Sequence, residues 1–117
     1  MIQRGIILPR NDTIELGELT DSAFYILLAL TKARHGYLVM QFVEELTNGR
    51  MQIGPASMYT VIKKLVNASL IEPLAGDGKK KSYLITEAGL KLLKEDVLRR
   101  QAMVEDAHFI LEGENNS

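Results

Sequence analysis

The chain has 117 residues, of which 46% are hydrophobic and 25% are charged, and its formal net charge is −1. This length suits one domain, and the composition is that of a globular protein with enough apolar residues for a core. No run of 18 apolar residues is present, which predicts no transmembrane helix, and the absence of cysteine excludes disulfides and thiolate metal sites.

Three segments place apolar residues at positions i, i+3, i+4 and i+7, the spacing of one face of an amphipathic helix. The three stripes are Ala23, Ile26, Leu27 and Leu30; Val39, Phe42, Val43 and Leu46; and Met58, Val61, Ile62 and Leu65. The first half of the chain is therefore predicted to form three short helices.

The ends of these helices carry matching signals. Thr20 is expected to cap the first helix, and the His-Gly pair at 35–36 separates it from the second. The Asn-Gly pair at 48–49 should end the second helix, because both residues tolerate the left-handed conformation of a helix stop. Pro55 suits the first position of the third helix, where its missing N–H is no loss.

After residue 70 the period changes to short, strand-like runs. Apolar residues within 71–74 and 83–85 flank a Gly-Asp-Gly turn at 76–78. This pattern predicts a β-hairpin over residues 71–85, with a cationic tip formed by the lysines at 79–81.

Thr86 is expected to cap a last helix over roughly residues 87–112, which would be about 39 Å long. Apolar residues recur along it at alternating three- and four-residue steps, with one interruption at Arg100. The residues of this seam are Leu90, Leu93, Val97, Val104, Ala107 and Leu111. Three small helices cannot cover so long a seam, so we expect these residues to form a homodimer interface.

The order of elements predicts a mainly α fold with a small β-hairpin, that is, a winged helix-turn-helix followed by a long C-terminal dimerisation helix. We expect the winged helix-turn-helix domain at residues 19–86, the dimerisation helix at 87–112 and a tail at 113–117. Residues 1–18 lack a clear periodicity and are expected to form an N-terminal arm, partly disordered. They also lack the features of an export signal, so we expect a cytoplasmic protein.

The net charge conceals an uneven distribution. Residues 1–49 sum to −2, residues 50–81 to +4 and residues 82–117 to −3. A local basic patch of this kind is typical of nucleic-acid binders. The polar side of the third helix and the hairpin tip supply the candidate DNA contacts Ser57, Tyr59, Thr60, Lys63, Lys64, Lys79, Lys80 and Lys81. Hydroxyls near the start of such a helix suit base edges, and lysines suit phosphates.

Other classes of function have weaker support. Ordinary surface charge would explain each lysine taken singly, and only their joint occurrence favours DNA. The only histidines are His35 and His108, so neither a catalytic centre nor a metal or cofactor site is predicted. For His35, helix capping and a phosphate contact remain open. A winged helix that binds only another protein is the main alternative, and salt dependence of DNA binding separates the two.

Taken in order, the motifs resemble the PadR family of bacterial transcriptional regulators, over roughly residues 20–95. The matching features are His-Gly-Tyr at 35–37, Pro-x-x-x-Tyr at 55–59, Ser-Leu-Ile at 69–71, Tyr-Leu-Ile-Thr at 83–86 and Glu-x-Gly at 87–89. The resemblance implies a dimeric repressor of the compact branch with a single C-terminal helix. The long seam beside a basic third helix leads us to expect a two-fold symmetric dimer on a near-palindromic DNA operator, released by a small-molecule effector. The resemblance also implies DNA contacts on the third helix and the hairpin, to which we add His35 and Tyr37 as candidates.

Two features depart from the family pattern. Ser69 replaces the usual glycine before Leu-Ile, and the chain has no tryptophan, whereas some members hold flat aromatic effectors between tryptophans. The candidate residues for an effector pocket between subunits are Tyr25, Met103 and Phe109, beside Val104 and Ile110. The alternative is that these residues form plain dimer core.

Overall fold

The computed structural model describes residues 19–76 and 80–116, with side chains described to residue 113. The elements in chain order are α1 (Asp21–Ala29), β1 (Arg34–His35), α2 (Gly36–Leu46), α3 (Pro55–Asn67), β2 (Ile71–Leu74), β3 (Ser82–Ile85) and α4 (Glu87–Asn116). This mainly helical architecture with a small sheet confirms the predicted fold class. The predicted N-terminal arm lies outside the described residues.

The predicted apolar stripes pack α1, α2 and α3 around one core. The four stripe residues that begin at Ala23 are all buried, and in α3 only Val61 of its stripe is partly exposed. The predicted caps are also confirmed. The Thr20 hydroxyl accepts a hydrogen bond from the Ala23 N–H at 3.1 Å, and Pro55 is the first residue of α3.

The stripe predicted for α2 is wrong at its last position. Leu46 is 50% exposed, whereas Thr47 is buried. The Thr47 hydroxyl donates to the Val43 carbonyl at 2.9 Å and accepts from the Met51 N–H at 3.0 Å, so its polar group is satisfied inside the core. The Asn-Gly pair at 48–49 follows with φ angles of 52° and 80°, which confirms the predicted helix stop.

The sheet has three antiparallel strands in the order β1-β3-β2. The hairpin of β2 and β3 was predicted, but β1 was not, and it pairs Arg34 and His35 with the central strand β3. Pro73 lies opposite Tyr83 on the edge strand β2, where its missing N–H breaks no ladder within the sheet. We call residues 71–85 the wing.

The turn between α3 and β2 is held by the start of α4. Ser69 adopts a φ of 62°, and the Leu70 N–H donates to the Leu65 carbonyl at 2.9 Å. The Thr86 hydroxyl donates to the Ser69 carbonyl at 2.8 Å and accepts from the Gly89 N–H at 3.0 Å, which confirms Thr86 as the cap of α4. A Cβ at Gly89 would collide with the Leu70 carbonyl oxygen, so the close approach of helix and turn requires glycine.

Helix α4 continues to Asn116 and does not stop near residue 112. Its first half packs on the body of the domain, where Leu93 and Asp96 are buried. Its side chains at 101–113 are all exposed. Leu93 therefore does not fit its predicted place in a dimer interface, since its side chain is enclosed by the chain's own core. Among the described helices, none is long and apolar enough to cross a membrane.

Candidate nucleic-acid interface

Helix α3 presents its polar side to solvent because its apolar side is anchored in the core. Met58, Ile62 and Leu65 are buried at 0 to 3% exposure. The five candidate contacts on this helix, Ser57, Tyr59, Thr60, Lys63 and Lys64, are all exposed. The burial pattern thus leaves hydroxyls and ammonium groups together on one open helical surface.

The Thr60 hydroxyl has a defined role within this surface. It donates a hydrogen bond to the Ala56 carbonyl at 3.0 Å, one turn earlier in the helix. Because the hydroxyl proton is used in this way, the oxygen offers only lone pairs outward. Thr60 is therefore oriented as an acceptor, which suits an exocyclic amino group at a base edge.

A cleft of about 490 Å³ separates the start of α2 from the wing. Tyrosine hydroxyls, lysine ammonium groups and one imidazole line it, beside Gly36 and Leu38. These polar residues are His35, Tyr37, Tyr59, Lys80, Lys81 and Tyr83. The structure thus brings together residues from the second helix, the third helix and the hairpin. Lys79, a further candidate contact, lies outside the described residues.

His35 fixes the wing to the start of α2. Its Nδ1 atom lies 3.0 Å from Ser82 Oγ and 3.4 Å from the Lys81 carbonyl oxygen. Although His35 occupies the position before the first residue of α2, its side chain makes no capping hydrogen bond. The interpretation of His35 as a side-chain cap is therefore wrong. Its imidazole instead contacts the wing, at Ser82 and at the Lys81 carbonyl.

Of the three tyrosines that line the cleft, Tyr59 and Tyr83 differ in exposure. Tyr59 is 51% exposed, and a Cβ at Gly36 would lie 2.5 Å from its hydroxyl oxygen, so glycine permits this hydroxyl to rest on the first turn of α2. Tyr83 is buried at 9% exposure. Burial, and secondly the neighbouring Tyr59, raises the pKa of Tyr83 above its ordinary value.

A smaller cavity of about 220 Å³ lies on the other side of Tyr59, between α3 and the wing. Lys63 and Asn67 line it together with Lys81 and Tyr83. Tyr59, Lys81 and Tyr83 border both cavities, so α2, α3 and the wing form one continuous surface. On it, hydroxyl and ammonium groups lie among apolar residues such as Leu38 and Val66. Tyr83 and Asn67 were not among the predicted contacts. The signal that the sequence offered for Tyr83 was its place in the Tyr-Leu-Ile-Thr motif, shortly after the lysines of the predicted hairpin tip.

The candidate dimer and effector residues lie elsewhere, mostly on α4. Val97, Val104, Ala107 and Leu111 are exposed, and Leu90 is half-buried. Tyr25 is half-buried on α1, with its ring edge-to-face against Phe24 at 5.8 Å. Met103 and Phe109 are 55% and 77% exposed, and at 100° per residue they lie about 120° apart around α4. Within one subunit they do not share a helix face, so they cannot together line one wall of a pocket.

Comparison with known proteins agrees with this architecture. The profile of the transcriptional regulator PadR-like family matches residues 26–95. An uncharacterized protein of Lysinibacillus sphaericus is 36% identical over 90 residues, which cover 74% of this chain and 83% of that protein. A PadR family transcriptional regulator of Eggerthella lenta has a similar structure, with a TM-score of 0.64 at 20% identity, and the match covers 86% of each chain. RosR of H. salinarum matches with a TM-score of 0.62 at 22% identity, over 84% of this chain and 94% of RosR.

Proposed function

Because the chain belongs to the PadR-like family of transcriptional regulators, we propose that it binds a near-palindromic DNA operator as a homodimer and represses transcription. Helix α3 enters the major groove in this proposal, and the wing lies along the adjacent backbone. The observation that carries the proposal is the continuous surface of lysines and tyrosines in which Tyr59 and Lys81 join α3 to the wing.

Each candidate residue has a role that follows from its chemistry and position. Ser57 and Thr60 meet base edges from the first turns of α3, where Thr60 acts as an acceptor. Lys63 and Lys64 neutralise phosphates from the same helix. Lys80, Lys81 and the predicted Lys79 do so from the wing. His35 and Tyr37 approach the backbone at the start of α2.

Dimerisation through α4 is supported by the apolar side chains that its exposed half presents to solvent. Val104 is 54% exposed and Leu111 is 60% exposed, a large apolar surface for a lone helix. Pairing two such helices would bury it and place two α3 helices about 34 Å apart, one turn of DNA. Release by a small aromatic effector belongs to the same proposal, with a pocket of Tyr25, Met103 and Phe109 completed by the second subunit.

A titration at several salt concentrations tests DNA binding. We expect the affinity for a duplex selected from genomic fragments to fall steeply with salt, with a log–log slope of about 0.9 per neutralised phosphate. Replacing both Lys63 and Lys64 with alanine removes four lysines from the dimer and should reduce that slope by about 3.6. The matched control replaces Lys91 and Lys94, two exposed lysines of α4, and should leave the slope unchanged.

The alternative function is a winged helix that contacts only another protein. Flat, weak binding of the wild type at all salt concentrations would favour this alternative. If the control variant lost as much salt dependence as the variant of Lys63 and Lys64, the binding would depend on the overall number of positive charges and not on α3.

A further inference from the structure

Arg100 lies where α4 leaves the body of the domain. One turn before it, Asp96 is completely buried at 0% exposure. Beyond it, the side chains at 101–113 are exposed. We call residues 101–116 the distal segment. Arg100 is thus placed at the junction between the part of α4 that the domain holds and the part that extends from it.

The guanidinium of Arg100 connects this junction to the beginning of α1. Its Nε donates to the Asp96 carboxylate at 2.7 Å, its Nη1 to the Asp21 carboxylate at 2.8 Å and its Nη2 to the Leu19 carbonyl at 2.8 Å. Its carbon lies 4.4 Å from the centroid of the Phe24 ring. A planar group held in three directions and stacked on a ring has one orientation available to it.

Arg99 provides an internal comparison. It also donates to the Asp96 carboxylate, at 2.9 Å, but its other hydrogen bond goes to Met103 on the same helix. Both arginines therefore neutralise the buried carboxylate, whereas only Arg100 joins α4 to α1. Any effect that arises from neutralising Asp96 alone would be the same for the two residues.

The ion pair with Asp96 lies within α4, so α4 is held against α1 by the hydrogen bonds of Arg100 to Asp21 and to the Leu19 carbonyl, together with its contact with the Phe24 ring. At this junction the geometry in question is the direction of the distal segment. At 1.5 Å per residue the segment is about 24 Å long, so a tilt of about 10° at Arg100 moves its end by about 4 Å. One base-pair step of DNA is about 3.4 Å, so such a tilt changes the DNA spacing that a dimer can span.

We propose that Arg100, held by Asp21 and Asp96, sets the angle of the distal segment and thereby the separation of the two operator half-sites that the dimer accepts. Arg100 is a positioning residue, because it acts on DNA through α4 and the second subunit. The inference rests on the proposed dimeric, DNA-binding function and adds to it the origin of half-site spacing.

The test measures affinity for operators whose half-sites are moved apart or together by one or two base pairs. For the wild type we expect each change to lower affinity by about tenfold or more, because the duplex must be deformed to fit. In Arg100→Met the affinities for operators of different half-site spacing should differ by less than about threefold. Asp21→Asn should flatten it partly; since Asp21 is 70% exposed, this variant is expected to fold normally. The control Arg99→Met should keep the wild-type profile.

A second measurement reports the angle without DNA. The chain has no cysteine, so a spin label at Lys32→Cys, an exposed position in the domain, gives one label per subunit. We expect a narrow distance distribution between the labels in the wild-type and Arg99→Met dimers. A broad distribution is expected in Arg100→Met.

The outcomes separate this inference from the function on which it rests. A wild type that selects one spacing, with the same profile and the same label distances in Arg100→Met and Asp21→Asn, overturns the positioning role alone. Flattening in Arg99→Met to the same degree would also overturn it. A wild type that binds no duplex removes the proposed function itself. Should Arg100→Met fail to fold, Asp21→Asn decides the question.

Discussion

Ser69 adopts a backbone conformation that favours glycine. Its φ of 62° is left-handed, and a residue with a Cβ is strained there by about 1 kcal/mol or more. The Thr86 hydroxyl bonds to the Ser69 carbonyl and so helps to hold the turn in this conformation. The serine is visible in the sequence as a departure from the family pattern, but the distant side chain that compensates for it is visible only in the structure.

Ser69→Gly should therefore stabilise the fold. Glycine relieves the strain and keeps the backbone hydrogen bonds, so we expect the free energy of unfolding to rise by about 1 kcal/mol in urea denaturation. The neighbouring Ala68 has an ordinary φ of −88°, and Ala68→Gly should lower the free energy of unfolding by about 0.5–1 kcal/mol. Equal effects of the two substitutions would contradict the backbone explanation.

At the level of elements, helices were predictable and one strand was not. Apolar periodicity located α1, α2 and α3, and the turn chemistry located the hairpin, because those signals are local. Strand β1 has only two residues, Arg34 and His35, too few for an alternating pattern. It exists because of its pairing with β3, a contact 46 residues or more away in sequence. The cleft that β1 helps to form was consequently not predictable, although most of its lining residues were selected.

Arg100 shows the same limit in helix α4. In the sequence it was an interruption of an apolar seam, and nothing local identifies Asp21 as its partner. The structure shows that this interruption marks the place where the helix changes from packing within the chain to facing solvent. The polar residue in the apolar series therefore marks a structural boundary, but the boundary can be recognised only from contacts between residues distant in sequence.

The buried carboxylate at the junction of α1 and α4 predicts a specific response to acid. Burial alone would raise the pKa of Asp96, but the hydrogen bonds from Arg100 and Arg99 outweigh it and lower the pKa below its ordinary value. A group with a lowered folded-state pKa stabilises the protein above its unfolded-state pKa, about 3.9, and loses that contribution as pH falls through the folded-state value.

Asp96→Asn should therefore destabilise the protein at pH 7 and have less effect in acid. We expect a loss of about 2 kcal/mol at pH 7, the range for hydrogen bonds to charged groups, and a smaller difference from wild type below about pH 4. Urea unfolding at fixed protein concentration measures the free-energy difference between variant and wild type at each pH. The control Glu95→Gln alters an exposed carboxylate of the same helix and should change stability by less than about 0.5 kcal/mol. A wild-type advantage that persists undiminished at low pH would contradict the assignment to Asp96.

The molecule as a whole combines a basic surface on α3 and the wing with an acidic, partly apolar distal segment. Periodicity alone could not divide the seam of α4 into residues that the chain's own core buries and residues that stay exposed, because both follow the same spacing. Leu93 packs into the chain's own core, whereas Val104 and Leu111 are exposed. The division arises from where the body of the domain ends, a property of the whole fold and not of the helix.

Because Val104 and Leu111 lie outside the core, dimerisation can be tested without disturbing the fold of the subunit. Val104→Glu places a carboxylate on the exposed seam without entering the core, so each subunit should fold normally. If the seam is buried between subunits, an unpaired charge there costs several kcal/mol and should weaken dimerisation by about a hundredfold or more. Sedimentation at micromolar concentration measures the loss of dimer. Affinity for the operator should fall as the dimer dissociates, because a single subunit binds one half-site only weakly. The matched control is Ala102→Glu, which introduces the same group on the same helix about 160° away. A dimer that survives Val104→Glu but not Ala102→Glu would place the interface on the other side of α4.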